Sequence, residues 1–350
     1  MKPTVIKVLK TGILLSLIII LLVSCEDNEP DGSKRLFPYS DSGFYFVNEG
    51  NYTWGNGSLS FFSYDSLEIY NRVFNKTSGL DIGDIPLRVI SEDERLYVVV
   101  NNSGRIVVLD KTNADYIGSI EGLISPRDFK SLEDGYGLVS SLYSDSLTVV
   151  NTNSLSISSY IDIGCSSESI LVYGDYVFVS NWSVGDKLIV LDRFTLQIVK
   201  SIMVVKEPSE MIIDKAGKLR VLCSGGYMND EFPALISIDP VLLEVNATIS
   251  FDSKNTSPSE LVINNSMDTL YYLNGGIYRM AYTDIELPTE AFIESDRRNL
   301  YRLSFDQNHF SIVVSDAVDY VQKGYIYLYS TSGKELFNGR ADIIPGKISN

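Results

Sequence analysis

The chain has 350 residues, with 29 Lys and Arg against 45 Asp and Glu, a formal net charge of −16 at pH 7. So acidic a balance lacks the basic footprint that nucleic-acid binding requires, and nucleic acid is excluded as a partner. The single His, His309, sits in a polar turn after Asp306-Gln307-Asn308, which leaves no Ser-His-Asp constellation and no His-rich metal site.

Residues 1–24 read as a cleaved leader. Lys2, Lys7 and Lys10 make a basic start, and residues 13–23 are apolar apart from Ser16. Those 11 residues are too few to span a bilayer as a helix, which takes about 20, and they fit the core of a secretory signal. Leu22-Val23-Ser24-Cys25 resembles a bacterial lipobox. The resemblance implies acylation of Cys25 and membrane attachment through that lipid anchor; the other reading is a plain signal with an incidental Cys. Residues 25–36 are expected to be an acidic tether. Within it Glu26-Asp27-Asn28-Glu29-Pro30-Asp31 is similar to the surface-export signal of Bacteroidetes lipoproteins. That implies an outer-membrane protein facing the cell exterior; a solvated linker with no address is the alternative.

From residue 37 to residue 350 one pattern recurs, clearest in residues 85–120. Four short apolar runs, IPLRVI, RLYVVVNN, RIVVLD and DYIGSI, are separated by SEDE, SG and KTNA. Runs of this length, rich in Val, Ile, Leu and Tyr and bounded by turn residues, read as strands. The third run of each unit ends apolar–Asp or near it: Tyr64-Asp65, Leu109-Asp110, Val150-Asn151, Leu191-Asp192 and Ile238-Asp239, with weaker matches at Ala281 and Ser330. The intervals are 45, 41, 41, 47, 42 and 49 residues. A period in the forties with four strands per unit predicts an all-β fold, a seven-bladed β-propeller of four-stranded antiparallel blades.

The first unit begins midway, with residues 44–48, 59–64 and 69–74 as its second, third and fourth runs. Its missing first run has a candidate at the other end of the chain. Ile343-Ile344-Pro345-Gly346-Lys347-Ile348 repeats the pattern of Asp84-Ile85-Pro86-Leu87-Arg88-Val89. The C-terminal strand is therefore expected to join the first blade, which removes exposed sheet edges.

If the innermost strand comes first in each blade, the loops after the second and fourth strands share one face. The first set carries Asn51, Tyr52, Trp54, Asn101, Asn102, Tyr143, Asn181, Trp182, Tyr227 and Asn229, including both Trp residues of the chain. Aromatics with amides suit a bulky, partly apolar ligand, although Asn also serves turn geometry. The second set enters the inner strands at Pro86-Leu87-Arg88, Pro126-Arg127-Asp128, Ser166-Ser167-Glu168, Pro208-Ser209-Glu210, Pro258-Ser259-Glu260 and Pro345-Gly346-Lys347. The third residue of each is expected at the channel mouth, bringing Asp128, Glu168, Glu210 and Glu260 together beside Arg88 and Lys347. Such a ring either compensates its own charge or holds Ca²⁺, with self-compensation the preferred reading. Cys165 and Cys223 are expected as two buried thiols, with a disulfide between them as the alternative in an oxidising compartment.

The unit pattern looks like the YncE-like seven-bladed propellers. Within the first unit, Phe46-Val47-Asn48-Glu49-Gly50-Asn51 followed by Gly57-Ser58-Leu59-Ser60-Phe61-Phe62-Ser63-Tyr64-Asp65 is similar to the opening of the BtuG-type surface lipoproteins of Bacteroidetes. The resemblance implies a protein that is not an enzyme and needs no cofactor. Such a protein captures cobalamin or a related corrinoid as cargo and passes it to a TonB-dependent outer-membrane transporter. Two other readings stay open. One is a module binding a glycan or peptide, or acting as a scaffold in an outer-membrane complex. The other is a calcium-dependent lactonase using the carboxylate ring.

Overall fold

The computed structural model describes residues 37–349. The expected leader, the lipidation site Cys25 and the tether lie outside the described residues. The described chain forms seven four-stranded antiparallel sheets, each the blade of a β-propeller. The second blade consists of Pro86–Glu92, Arg95–Val100, Arg105–Asp110 and Tyr116–Ile120, the four runs read from residues 85–120.

Burial explains why the two middle strands read as almost wholly apolar. Arg95–Val100 and Arg105–Asp110 bury nearly every side chain, whereas the outer strand Tyr116–Ile120 is largely exposed. A middle strand is covered on both faces by neighbouring blades, so hydrophobic–polar alternation disappears. Seven apolar clusters follow, one at each blade–blade interface. Between the second and third blades, for example, Tyr97 stacks on Phe129 with ring centroids 4.7 Å apart.

The residue that marks the period has a local task. The side chains of Asp110, Asn151, Asp192 and Asp239 accept hydrogen bonds from backbone N–H groups two or three residues on, the Asx-turn arrangement. Four residues after each lies Ala114, Leu155, Leu196 or Leu243, with φ between 51° and 57°. A left-handed non-glycine costs about 1–2 kcal/mol. Each of these side chains packs into an inter-blade cluster, and burying a Leu gains about 1.5–3 kcal/mol. In the first blade the equivalent turn residue is Ser63, which pairs with Glu68 as Asn151 pairs with Ser156; Asp65 lies inside the turn.

The first blade is completed by both ends of the described chain. Pro345–Ile348 is its innermost strand, pairing Ile348 with Phe46 and Pro345 with Asn48. Glu49 N–H donates to the Ile344 carbonyl at 2.8 Å, and Ser349 N–H to the Tyr45 carbonyl at 2.7 Å. Gly346 is required for closeness: a Cβ there would lie 2.6 Å from Val47 Cγ2.

Two elements depart from expectation. The fourth strand of the first blade ends at Tyr70, and Val73–Ser78 is a short helix that buries Val73 and Phe74. Arg72, at φ 60°, turns the chain out of the strand, so the apolar pair reaches the core from a helix. In the sixth blade the fourth strand is reduced to Ile293–Glu294.

Candidate functional site

The inner strands share one irregularity. Between Pro86 and Val89, Pro126 and Phe129, Pro208 and Met211, Ser259 and Val262, and Leu300 and Leu303, the register with the second strand shifts. Pro fits the start of such a strand because it has no N–H to leave unpaired. A bulge re-aims the side chains at the shift, and here those side chains are charged.

The register corrects two of the expected positions. The bulge from Ser259 to Val262 corresponds to that from Pro208 to Met211, so Leu261 rather than Glu260 occupies the place of Glu210. Ser169 likewise stands where Asp128 does, both lining the axial cavity. Glu168 and Glu260 are therefore one residue nearer the loop face. Pro258 and Ser166 had suggested the other alignment, because a bulge can be shifted by one residue without changing the local sequence pattern.

These side chains form three groups of paired charges around the axis. Arg127 makes a two-pronged pair with Glu168, Nε and Nη2 donating at 2.7 and 2.8 Å. Arg88 lies 3.5 Å from Asp128. Lys347 Nζ is 2.8 Å from Glu210 and 3.1 Å from Glu260. Arg302, absent from the sequence-derived ring, reaches Glu260 at 2.8 Å and Glu49 at 3.0 Å. Tyr301 Oη donates to Glu49 at 2.9 Å. Burial would raise the Glu210 carboxyl, but Lys347 and Arg88 outweigh it and hold the group at about 2. The Arg302 guanidinium is raised well above its usual value: burial opposes its charge, and Tyr301, Glu260 and Glu49 prevail.

Every charge of the ring is paired, with one net negative left over: five carboxylates face four cations. Among the described residues no three His, Cys, Asp or Glu groups are placed to hold a metal ion. Guanidinium and ammonium groups stand where a calcium site would need carbonyl oxygens or water. The two thiols are free; Cys223 is buried and Cys165 only partly so.

Around this ring lie the loops that follow the second strands. They are tied to the loops entering the inner strands: Asn101 N–H donates to the Ile85 carbonyl, Leu142 to Ser125 and Ser224 to Glu207. Both sets therefore occupy one face, and Trp54 and Trp182 are both on it. The expected residues separate into two groups. Asn181 is buried and donates to Ser166, Asn101 donates to Ser125 and to the Pro126 carbonyl, and Asn102 donates to Asp84. Asn51 donates to the Tyr320 carbonyl. These amides hold loops in place. Tyr52, Trp54, Tyr143, Tyr227 and Asn229 are exposed, with Trp54 at 76% and Tyr227 at 90%. Trp182 is partly buried, with the Arg127 guanidinium 5.8 Å from its ring centre. Sequence reasoning missed Val184 and Met228, exposed on the same loops.

A family model described as a domain of unknown function, DUF5074, matches residues 42–333. A quinonprotein alcohol dehydrogenase-like protein from Bacteroides thetaiotaomicron superposes with a TM-score of 0.71 at 16% identity, covering 88% of this chain and 77% of that one. A functionally unknown protein from Desulfotomaculum acetoxidans gives 0.66 at 13% identity, covering 87% and 98%. A protein from Lactobacillus plantarum gives 0.66 at 12% identity, covering 88% and 98%. At these identities the likeness is one of fold. No curated protein matches the sequence.

Proposed function

Since the chain belongs to the DUF5074 family, whose model names no activity, we propose its role from its own surface: a binding propeller that captures a broad, partly apolar ligand on the loop face. The observation that carries this reading is the exposure of Tyr52, Trp54, Tyr143, Tyr227 and Met228 on loops of one face. Large apolar side chains held in water on rigid loops cost solvation unless a partner covers them. A corrinoid, a wide ring with an apolar edge and many amides, matches aromatic contacts flanked by polar loops. The surface-lipoprotein features of residues 22–31 favour capture at the outer membrane and hand-over to a TonB-dependent transporter.

The self-paired ring supports binding over hydrolysis. Its carboxylates are engaged by Arg and Lys, so none is left to hold a Lewis-acid metal or to act as a free base. The test is titration of the purified protein, with Cys25 replaced by Ser, against cobalamin and cobinamide, followed by calorimetry and the corrinoid absorbance bands. Saturable binding supports the reading. No heat and no spectral shift at millimolar ligand removes the corrinoid. Aromatic faces also stack on sugars, so binding to a glycan array, lost in Trp54→Ala, would assign a saccharide instead.

A further inference from the structure

The axial channel is bridged. Lys347 belongs to the first blade and Glu210 to the fifth, and these blades are not neighbours, so their 2.8 Å ion pair crosses the axis. This bar lies across the channel at the level of the ring, above the lower residues of the same cavity. Inner-strand side chains alternate, so the residues two places beyond the ring also face the axis, about 7 Å deeper. There the chemistry changes. Arg88 is followed by Ile90, Glu210 by Ile212 and Leu261 by Ile263, and Leu171 stands beyond Ser169; all four lower residues line the cavity and remain partly exposed.

The seventh blade contributes Ser304, two residues beyond Arg302, with Gln307 just past the end of the same strand. The one charged residue at this level among the described residues is Lys130, two residues beyond Asp128. It lines the same cavity, is exposed, and has no ion pair or hydrogen bond to its ammonium among the described residues. The bore thus has a wall that is apolar at four blades and carries Ser304 and Gln307 at the seventh, a roof of paired charges and one unpaired cation low in its wall. Its volume is about 500 Å³, within the range of small-molecule sites.

We propose that this lower bore is a second ligand site, distinct from the loop face, that takes a small amphipathic anion with its apolar body against Ile90, Leu171, Ile212 and Ile263 and its anionic head at Lys130. An anion at the roof would have to compete with Glu210 for Lys347, whereas at Lys130 it meets an unpaired charge. A cationic amphiphile finds no unpaired carboxylate in the lower wall.

The probe is 1-anilinonaphthalene-8-sulfonate, an apolar anion whose fluorescence rises on leaving water, displaced by decanoate or decanol. One saturable site is expected, with decanoate displacing the dye at least tenfold better than decanol. Lys130→Glu, a change at an exposed residue, should weaken dye binding at least tenfold, and Ile212→Glu should do the same. Trp54→Ala, on the other face, should leave it unchanged. The proposal is overturned if the dye binds Lys130→Glu as tightly as the parent, if Trp54→Ala abolishes binding, or if the native protein binds no dye. Equal displacement by decanol and decanoate would overturn the assignment of the head to Lys130.

Discussion

Glu210 and Arg302 show how single residues set the ring's behaviour. Glu210 is held at about 2 against an ordinary 4.5. A carboxyl lowered in the folded state contributes stability above its unfolded pKa, and that contribution is lost as pH falls through the folded value. Acid destabilisation between pH 4.5 and 2 is therefore expected to be smaller in Glu210→Gln, by up to about 3 kcal/mol, read from urea midpoints across that window. Arg302 bridges Glu260 and Glu49, both buried. Arg302→Met should cost about 3–5 kcal/mol by leaving Glu49 with no cationic partner among the described residues and Glu260 with Lys347 alone. Adding Glu49→Gln and Glu260→Gln should recover much of it, and a triple variant no more stable than Arg302→Met would contradict the pairing. On the loops, Trp54→Ala and Tyr227→Ala should each weaken capture about tenfold without changing the melting temperature. Trp54, Tyr227 and the ring residues Arg88, Asp128 and Glu210 could all be named from the sequence. Arg302 and Glu49 were not, because Leu300-Tyr301-Arg302 lacks the Pro that flags most of the other inner strands and Glu49 lies in a loop after the strand Gly43–Asn48. The same position in the repeat would have found Arg302.

At the level of elements, two short devices recur. The first is the turn between third and fourth strands, where Asp or Asn holds the backbone and a left-handed Ala or Leu fills the core. Asn151→Ala removes the acceptor for Asn153 and Ser154 N–H and should destabilise by about 1 kcal/mol, measured by chemical denaturation. The second is the bulge that opens the inner strands. It turns charged side chains to the axis while Leu and Phe just beyond stay in the blade interfaces. Periodicity placed the strands but not the bulges, since a bulge moves one residue without altering which segment is apolar. For the same reason the sequence put Glu168 and Glu260 one place too deep. The helix Val73–Ser78 was also hidden, because a short apolar pair reads alike in a strand or a helix.

The whole molecule depends on closure. Six blades are built from consecutive strands, and the first takes its inner strand from Pro345–Ile348. That strand also supplies Lys347, the residue that crosses the axis. Removing residues 344–350 unpairs Phe46 and Asn48, exposes the cluster shared by the seventh and first blades, and leaves Glu210 without its partner. A loss of at least about 5 kcal/mol is expected from buried area, strand hydrogen bonds and the ion pair together. Equilibrium unfolding with an undisturbed midpoint would show that the ring of blades does not need its clasp.

The strand count, the forty-odd-residue period and the return of the last strand were fixed by local composition, because dryness on both faces of a blade dictates unbroken apolar runs and turns dictate Asp, Asn and Gly. Which carboxylate meets which cation was decided only when blades far apart in sequence came together around the axis. Lys347 and Glu210 are 137 residues apart in the chain, and no local pattern encodes a 2.8 Å contact across a channel. The division of that channel into a charged level and a largely apolar level below it belongs to the folded molecule alone.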